Sequence, residues 1–206
     1  GAQTGCTVIL FPQETIASGE IRGGAPATRD FALLDPTRSV DQINAVVLSG
    51  GSAFGLSACS GVMEFLEEAN IGFSTSAGKV PIVVGLSLFD LGVGSATVRP
   101  GHQEGKAAAA LASSTAPLGR VGAGTGATVS KWRGKEFFEL GGLGGATLQE
   151  GNVMVSCLIA VNASGDIDFG EYPNMIRDGK FSIPKVNPFE NTTIGVVATN
   201  AKLTNS

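Results

Sequence analysis

Glycine is concentrated in two stretches of otherwise apolar sequence, and this constrains the fold more than any other feature. Gly122, Gly124 and Gly126 fall at every second residue, and Gly141, Gly142, Gly144 and Gly145 follow shortly after. A glycine in an extended segment has no side chain to pack, so such spacing marks close approach by another backbone or a substrate. Gly124 and Gly126 are candidate substrate-lining positions on this ground. The chain of 206 residues holds 30 glycines without a repeat period, and 43% of it is apolar. That glycine content is about twice the usual ~7% and does not fit collagen, while the hydrophobicity does not fit disorder. It fits a packed domain with many tight junctions. No linker or internal repeat divides the chain, so residues 1–206 read as a single domain.

Strand patterns dominate. Apolar, β-branched runs mark Cys6 to Phe11, Ala45 to Leu48, Asn152 to Asn162 and Ile194 to Ala198 as strands, the last two as buried ones. Ile16 to Arg22 reads as a further short strand, and Thr28 to Pro36 as loop. Lys79 to Leu91 is an apolar stretch whose break is expected at Gly85. Gly119 to Trp132 reads as glycine-rich strand, and Phe137 to Leu148 as strand and turn. Ala58, Val62, Phe65, Leu66 and Ala69 recur at helical spacing after the Ser49-Gly50-Gly51-Ser52-Ala53-Phe54-Gly55 turn. A second, alanine-rich helix is expected over Glu104 to Ala112, with His102 in the loop before it. Tyr172 to Pro188 is a polar excursion. The class is α+β or layered α/β, with few helices covering a sheet.

Several functions are excluded by composition. Net charge is −4, the pI is about 5.0 and the basic residues are scattered, which argues against nucleic acid as a partner. No apolar run reaches the ~18 residues of a membrane helix. Gly1 to Cys6 has no signal-peptide character and reads as a chain entered midway, so the sequence is expected to be incomplete at both ends. Cys6, Cys59 and Cys157 are widely spaced, lack a C-x-x-C pattern and read as buried free thiols of a reducing cytoplasm. His102 is the only histidine, which removes a histidine-rich metal site and leaves a Ser-His-Asp triad dependent on that one residue. No metal or other cofactor is expected. Neither a P-loop nor a dinucleotide fingerprint is present, because Trp132 follows Lys131 and no helix pattern follows the glycines.

Asn191-Thr192, at the mouth of the Ile194 to Ala198 strand, is chemically suggestive. A Thr192 hydroxyl can attack the Asn191 carbonyl, shift the peptide to an ester and be released by water. Thr192 would then carry nucleophile and base on one residue, since an α-amine titrates at about 7.7–8.0. Asn191-Thr192-Thr193 also reads as an ordinary strand start or as a glycosylation sequon.

Five ordered motifs carry a resemblance. They are Arg22-Gly23-Gly24-Ala25-Pro26, Leu48 to Leu56, Val121 to Thr128, Gly141-Gly142-Leu143-Gly144 and Asn191-Thr192-Thr193-Ile194. With them the chain resembles the DmpA-type aminopeptidases, a family that includes β-peptidyl aminopeptidases and the nylon-oligomer hydrolase. The resemblance runs from Thr4 to Leu203 and implies a four-layer αββα sandwich that cleaves itself, here between Asn191 and Thr192. It implies Thr192 as nucleophile, Asn162 as an oxyanion donor and Lys131 as a lysine beside the nucleophile. A small peptide or amide substrate and a homo-oligomer, a tetramer or larger, are implied too. Phe89 stands where some members carry a tyrosine, so it is a candidate substrate contact without the hydroxyl. Family members also continue past position 206 through acidic residues that orient the nucleophile. Two other readings stay open, an acyl transferase of the ornithine acetyltransferase type and a non-catalytic relative.

Overall fold

The computed structural model describes residues 1–168, 170 and 191–203. In chain order the strands are β1 (Cys6–Leu10), β2 (Ala27–Arg29), β3 (Ala45–Ser49), β4 (Phe73–Thr75), β5 (Gly78–Val80), β6 (Val83–Ser87), β7 (Thr128–Val129), β8 (Glu139–Leu140), β9 (Gly142–Glu150), β10 (Val153–Asn162) and β11 (Thr192–Thr199). The α-helices are α1 (Ala58–Glu68) and α2 (His102–Ala110). One sheet has the order β1-β3-β6-β2, with β3 and β6 parallel and both outer pairs antiparallel. A second, antiparallel sheet has the order β11-β10-β9. β4 with β5 and β7 with β8 form small hairpin pairs.

Strand alternation assigns the layers. Ala45 and Val47 of β3 and Val83 of β6 pack with Ala58, Cys59, Val62 and Leu66 of α1. Their neighbours Val46, Leu48 and Val84 point the other way, against Leu143, Leu158, Ala160, Ile194 and Val196 of the second sheet. The first sheet is therefore buried on both faces, as its unbroken apolar runs require. Each fully buried Val or Leu there contributes roughly 1.5–3 kcal/mol. α1 and α2 meet through glycine. A Cβ at Gly61 would collide with the His102 carbonyl, and one at Gly105 with the Ala58 carbonyl. On the outer surface of this helix pair, Lys106 bridges Glu64 at 2.6 Å and Glu68 at 2.7 Å, and His102 Nε2 lies 2.6 Å from Glu64. The Glu64 carboxyl is held below its usual range, chiefly by the Lys106 hydrogen bond.

Among the described residues the order is thus helix pair, sheet, sheet, and no fourth layer follows. Ile194 and Val196 face the core, so Thr193, Gly195, Val197 and Thr199 face outward, opposite Val161, Ile159, Cys157 and Val155. Val197 is 69% exposed and Leu148 78%.

Several local expectations are corrected by this packing. Ile16 to Arg22 is no strand: Ile16 makes one isolated bridge to Gln42, and Ile16 and Ile21 are exposed, so no neighbour completes a ladder. β2 forms within the expected loop because it finds the open edge of β6. The break in the 79–91 stretch falls at Pro81 and Ile82, between β5 and β6, rather than at Gly85. Gly85 lies inside β6, paired with Arg29 and Val47, and a Cβ there would stand 2.5 Å from Cys59 Sγ, so a larger residue does not fit. Gly119 to Trp132 is mostly turn, with a 3-10 turn at Gly122–Gly124 and only β7 as strand. His102 opens α2 rather than preceding it, with Glu104 accepting the Gly101 N–H at 2.9 Å. β10 and β11 are half-buried rather than buried, since one face of their sheet is open. The Tyr172 to Pro188 excursion lies outside the described residues. Among the described residues no helix is long and apolar enough to cross a membrane, and no cluster of three or more His, Cys, Asp or Glu could hold a metal ion.

Candidate active site

β10 ends where β11 begins. Their antiparallel register sets Asn162 directly opposite Thr192, and Ala160 opposite Ile194 on the same inward face. Directly opposed residues on one face have Cβ atoms about 4.5–5.5 Å apart. Two residues 30 positions apart in sequence therefore become neighbours, and the exposed Asn191 leads into the half-buried Thr192.

Asn162 is 1% exposed, and its amide is oriented from both ends. Oδ1 accepts the Thr128 N–H at 3.0 Å and the Lys131 ammonium at 2.6 Å. Nδ2 donates to the Phe89 carbonyl at 2.9 Å. Three donor and acceptor constraints leave only one way to place the amide, with oxygen toward β7 and nitrogen toward Phe89. An amide nitrogen carries two hydrogens, and Phe89 takes one of them. The other has no partner among the described residues.

Lys131 is aimed by its backbone. Ser130, at the end of β7, adopts a left-handed conformation with φ 62, uncommon for a non-glycine residue. The turn is stitched to the segment after β10: Ser130 N–H donates to the Gly165 carbonyl at 2.9 Å and Trp132 N–H to the Ser164 carbonyl at 3.2 Å. Trp132 Nε1 also donates to Asp166 at 2.8 Å. Thus held, Lys131 Nζ reaches both the side chain and, at 3.1 Å, the carbonyl of Asn162.

Of the residues singled out by sequence, Thr192, Asn162, Lys131 and Phe89 are brought to one place, and Asn191 adjoins it. Phe89 joins through its backbone carbonyl, which no side-chain pattern announces. Gly124 and Gly126 are buried, and what approaches them is protein. A Cβ at Gly124 would collide with the backbone of Leu143 and lie 2.6 Å from the Gly119 carbonyl. A Cβ at Gly126 would collide with the Gln3 carbonyl and lie 2.6 Å from Asp90 Oδ2. Two further groups escaped sequence reading: the Thr128 N–H, which binds Asn162, and Asp90, a buried side chain next to Phe89 whose one available signal was a charge inside the apolar run Leu88-Phe89-Asp90-Leu91.

The cysteines are free, Cys59 buried and the other two half-buried. Burial pushes the Cys6 and Cys59 thiols up to about 11, so neither is a thiolate nucleophile at neutral pH.

Known proteins share this chain's pattern. It is 43% identical over 167 residues to an uncharacterised aminopeptidase of Mycobacterium tuberculosis (strain H37Rv), covering 81% of the chain and 47% of that protein. It is 28% identical over 221 residues to a 6-aminohexanoate-oligomer endohydrolase of Paenarthrobacter ureafaciens, covering 97% of the chain and 59% of the relative. The chain thus spans about half the length of these curated relatives. In fold it is similar to a Burkholderia sp. beta-aminopeptidase, with a TM-score of 0.59 at 16% identity over 98% of this chain and 52% of that one. A Pyrococcus horikoshii OT3 protein superposes at a TM-score of 0.61 and 20% identity, with the same coverage. The profile of peptidase family S58 matches residues 1–206, and the chain belongs to that family, the DmpA-type aminopeptidases.

Proposed function

We propose that the full-length protein is a self-processing amide hydrolase with Thr192 as its nucleophile. The observation that carries this reading is the register pairing of Thr192 with Asn162, whose amide Lys131, Thr128 and Phe89 hold in one orientation. In processing, Thr192 Oγ attacks the Asn191 carbonyl carbon and the C–N bond breaks, giving an ester. Water cleaves the ester, leaving the Asn191 carboxylate and a free Thr192 amine. In turnover that amine takes the Oγ proton as Oγ attacks the substrate amide. The negative oxygen forms within reach of the second Asn162 Nδ2 hydrogen, a donor aimed before the reaction begins. One such donor is worth roughly 3–4 kcal/mol in the transition state. The proton then passes to the departing amine, and water hydrolyses the acyl ester.

The substrate class we read is a small peptide or an amide of a β- or ω-amino acid. The names of the similar aminopeptidase and oligomer endohydrolase support it. The outward apolar face around Val155, Cys157, Ile159 and Val197 supports a covering fourth layer, as in an αββα sandwich. Cytoplasmic location and homo-oligomeric assembly complete the proposal.

N-terminal sequencing of the purified full-length protein tests it. A chain beginning Thr-Thr-Ile-Gly is expected, and Thr192→Ala should migrate as one uncut chain on a denaturing gel. Cleavage of Thr192→Ala at the same bond would end the reading. Release of free amines from short peptides, without acyl transfer from an acetylornithine donor, is the expected product pattern.

A further inference from the structure

Asp90 is a buried carboxylate to which the reaction above gives no task. It is 4% exposed and follows Phe89 directly. Oδ1 accepts the Gly51 N–H at 2.6 Å. Oδ2 is buried with no hydrogen-bond partner among the described residues. The surroundings are shaped to admit it: a Cβ at Gly50 would collide with Asp90 Oδ2, and one at Gly126 would lie 2.6 Å from the same atom. An unpartnered carboxylate oxygen held out of water costs stability, so stability alone does not account for the residue.

The geometry supplies a task. The Phe89 carbonyl and the Asp90 N–H belong to one planar peptide unit, so neither rotates without the other. Gly51 anchors the Asp90 side chain that follows this unit. The Phe89 carbonyl within it receives Asn162 Nδ2 at 2.9 Å. The flanks are also tied: Leu88 N–H donates to the Ser49 carbonyl at 2.8 Å, and Val93 N–H to the Asp90 carbonyl at 2.9 Å. We propose that Asp90 is a positioning residue that sets the Phe89–Asp90 peptide plane and thereby aims the Asn162 amide at the reacting carbonyl. This rests on the reading of Asn162 as the oxyanion donor. Side chains that only place others still matter greatly to rate, since a misplacement of about 1 Å can cost on the order of 10²-fold.

The test uses the full-length, self-processed polypeptide and an aminoacyl p-nitroanilide probe. Asp90→Ala, Asn162→Ala and the double variant form a cycle. Asp90→Ala should lower kcat about 10- to 100-fold with KM within about threefold, and should change kcat less than about threefold once Asn162 is alanine. Asp90→Asn keeps an acceptor for Gly51 and should recover much of the kcat lost in Asp90→Ala. Equal losses in both Asn162 backgrounds, or an Asp90→Asn no better than Asp90→Ala, would overturn the proposal. Should Asp90→Ala not fold, Asp90→Ser, polar but too short to reach Gly51, takes its place. A crystal structure of the variant gives a readout without turnover: the Phe89 carbonyl should part from Asn162 Nδ2 beyond about 3.5 Å. An unchanged contact would also overturn it. Wild-type protein that leaves every amide intact would instead refute the hydrolase reading, and the crystal contact would still decide the role of Asp90.

Discussion

Asn162→Asp separates what Asn162 does for the fold from what it does for the reaction. The carboxylate is nearly isosteric. Its first oxygen can still accept from Thr128 and, now as a full ion pair, from Lys131, so the contacts at 3.0 and 2.6 Å survive. Its second oxygen replaces Nδ2 and has no hydrogen to donate. Losing one oxyanion donor costs about 3 kcal/mol, or roughly two decades of rate. A negative charge about 4 Å from the forming oxyanion adds about 4 kcal/mol at an effective dielectric constant near 20. If the Lys131 ammonium offsets about half of that, the total of about 5 kcal/mol is a loss of between 10³- and 10⁴-fold. KM should move only a few-fold, because the lost bond strengthens in the transition state. The assay is steady-state release of p-nitroaniline, normalised to chains whose N-terminus is Thr192. Urea denaturation, run alongside, should show a lower midpoint, because the second carboxylate oxygen now faces the Phe89 carbonyl to which Nδ2 donated, so rates are compared only for folded, processed chains. A folded, processed Asn162→Asp that retains more than about a tenth of wild-type kcat would refute the argument that this amide holds the oxyanion.

Further outcomes follow from other contacts. Lys131→Met removes an ammonium bound to Asn162 and so near Thr192, and the acid limb of kcat/KM should move to higher pH, because a nearby positive charge disfavours the protonated amine. Superimposable acid limbs at equal ionic strength would leave Lys131 with only its structural contacts. Gly61→Ala forces α1 from α2 and should lower stability by about 1–3 kcal/mol in urea unfolding, where an unchanged midpoint would contradict the close approach at His102. Cys59 should resist thiol reagents at pH 7.5 in the folded protein and react on unfolding, because burial keeps it protonated until about pH 11; rapid labelling of the native protein at pH 7.5 would refute this.

Much of the fold was legible where one physical signal dominated. The apolar run at Ala45 to Leu48 and the helical spacing from Ala58 to Leu66 correspond to β3 and α1, because burial of a continuous or periodic apolar face leaves few alternatives. Marginal elements were not legible. The three-residue β2 exists only because β6 offers it an edge, whereas the stronger pattern at Ile16 to Arg22 meets none and stays out of a sheet. The same division runs through the candidate site. Residue types and motif order picked out Thr192, Asn162 and Lys131, because a hydroxyl, an amide and an ammonium are distinctive wherever they stand. Their relation belongs to the tertiary structure. A register pairing sets Asn162 across from Thr192, and a left-handed turn at Ser130 aims Lys131. The Phe89 carbonyl and the Thr128 N–H orient the amide, and Gly51 anchors Asp90 beside them. Backbone groups are the same at every residue, so a linear sequence cannot mark which of them will be used. Only the packing of two sheets brings a chosen few to one point.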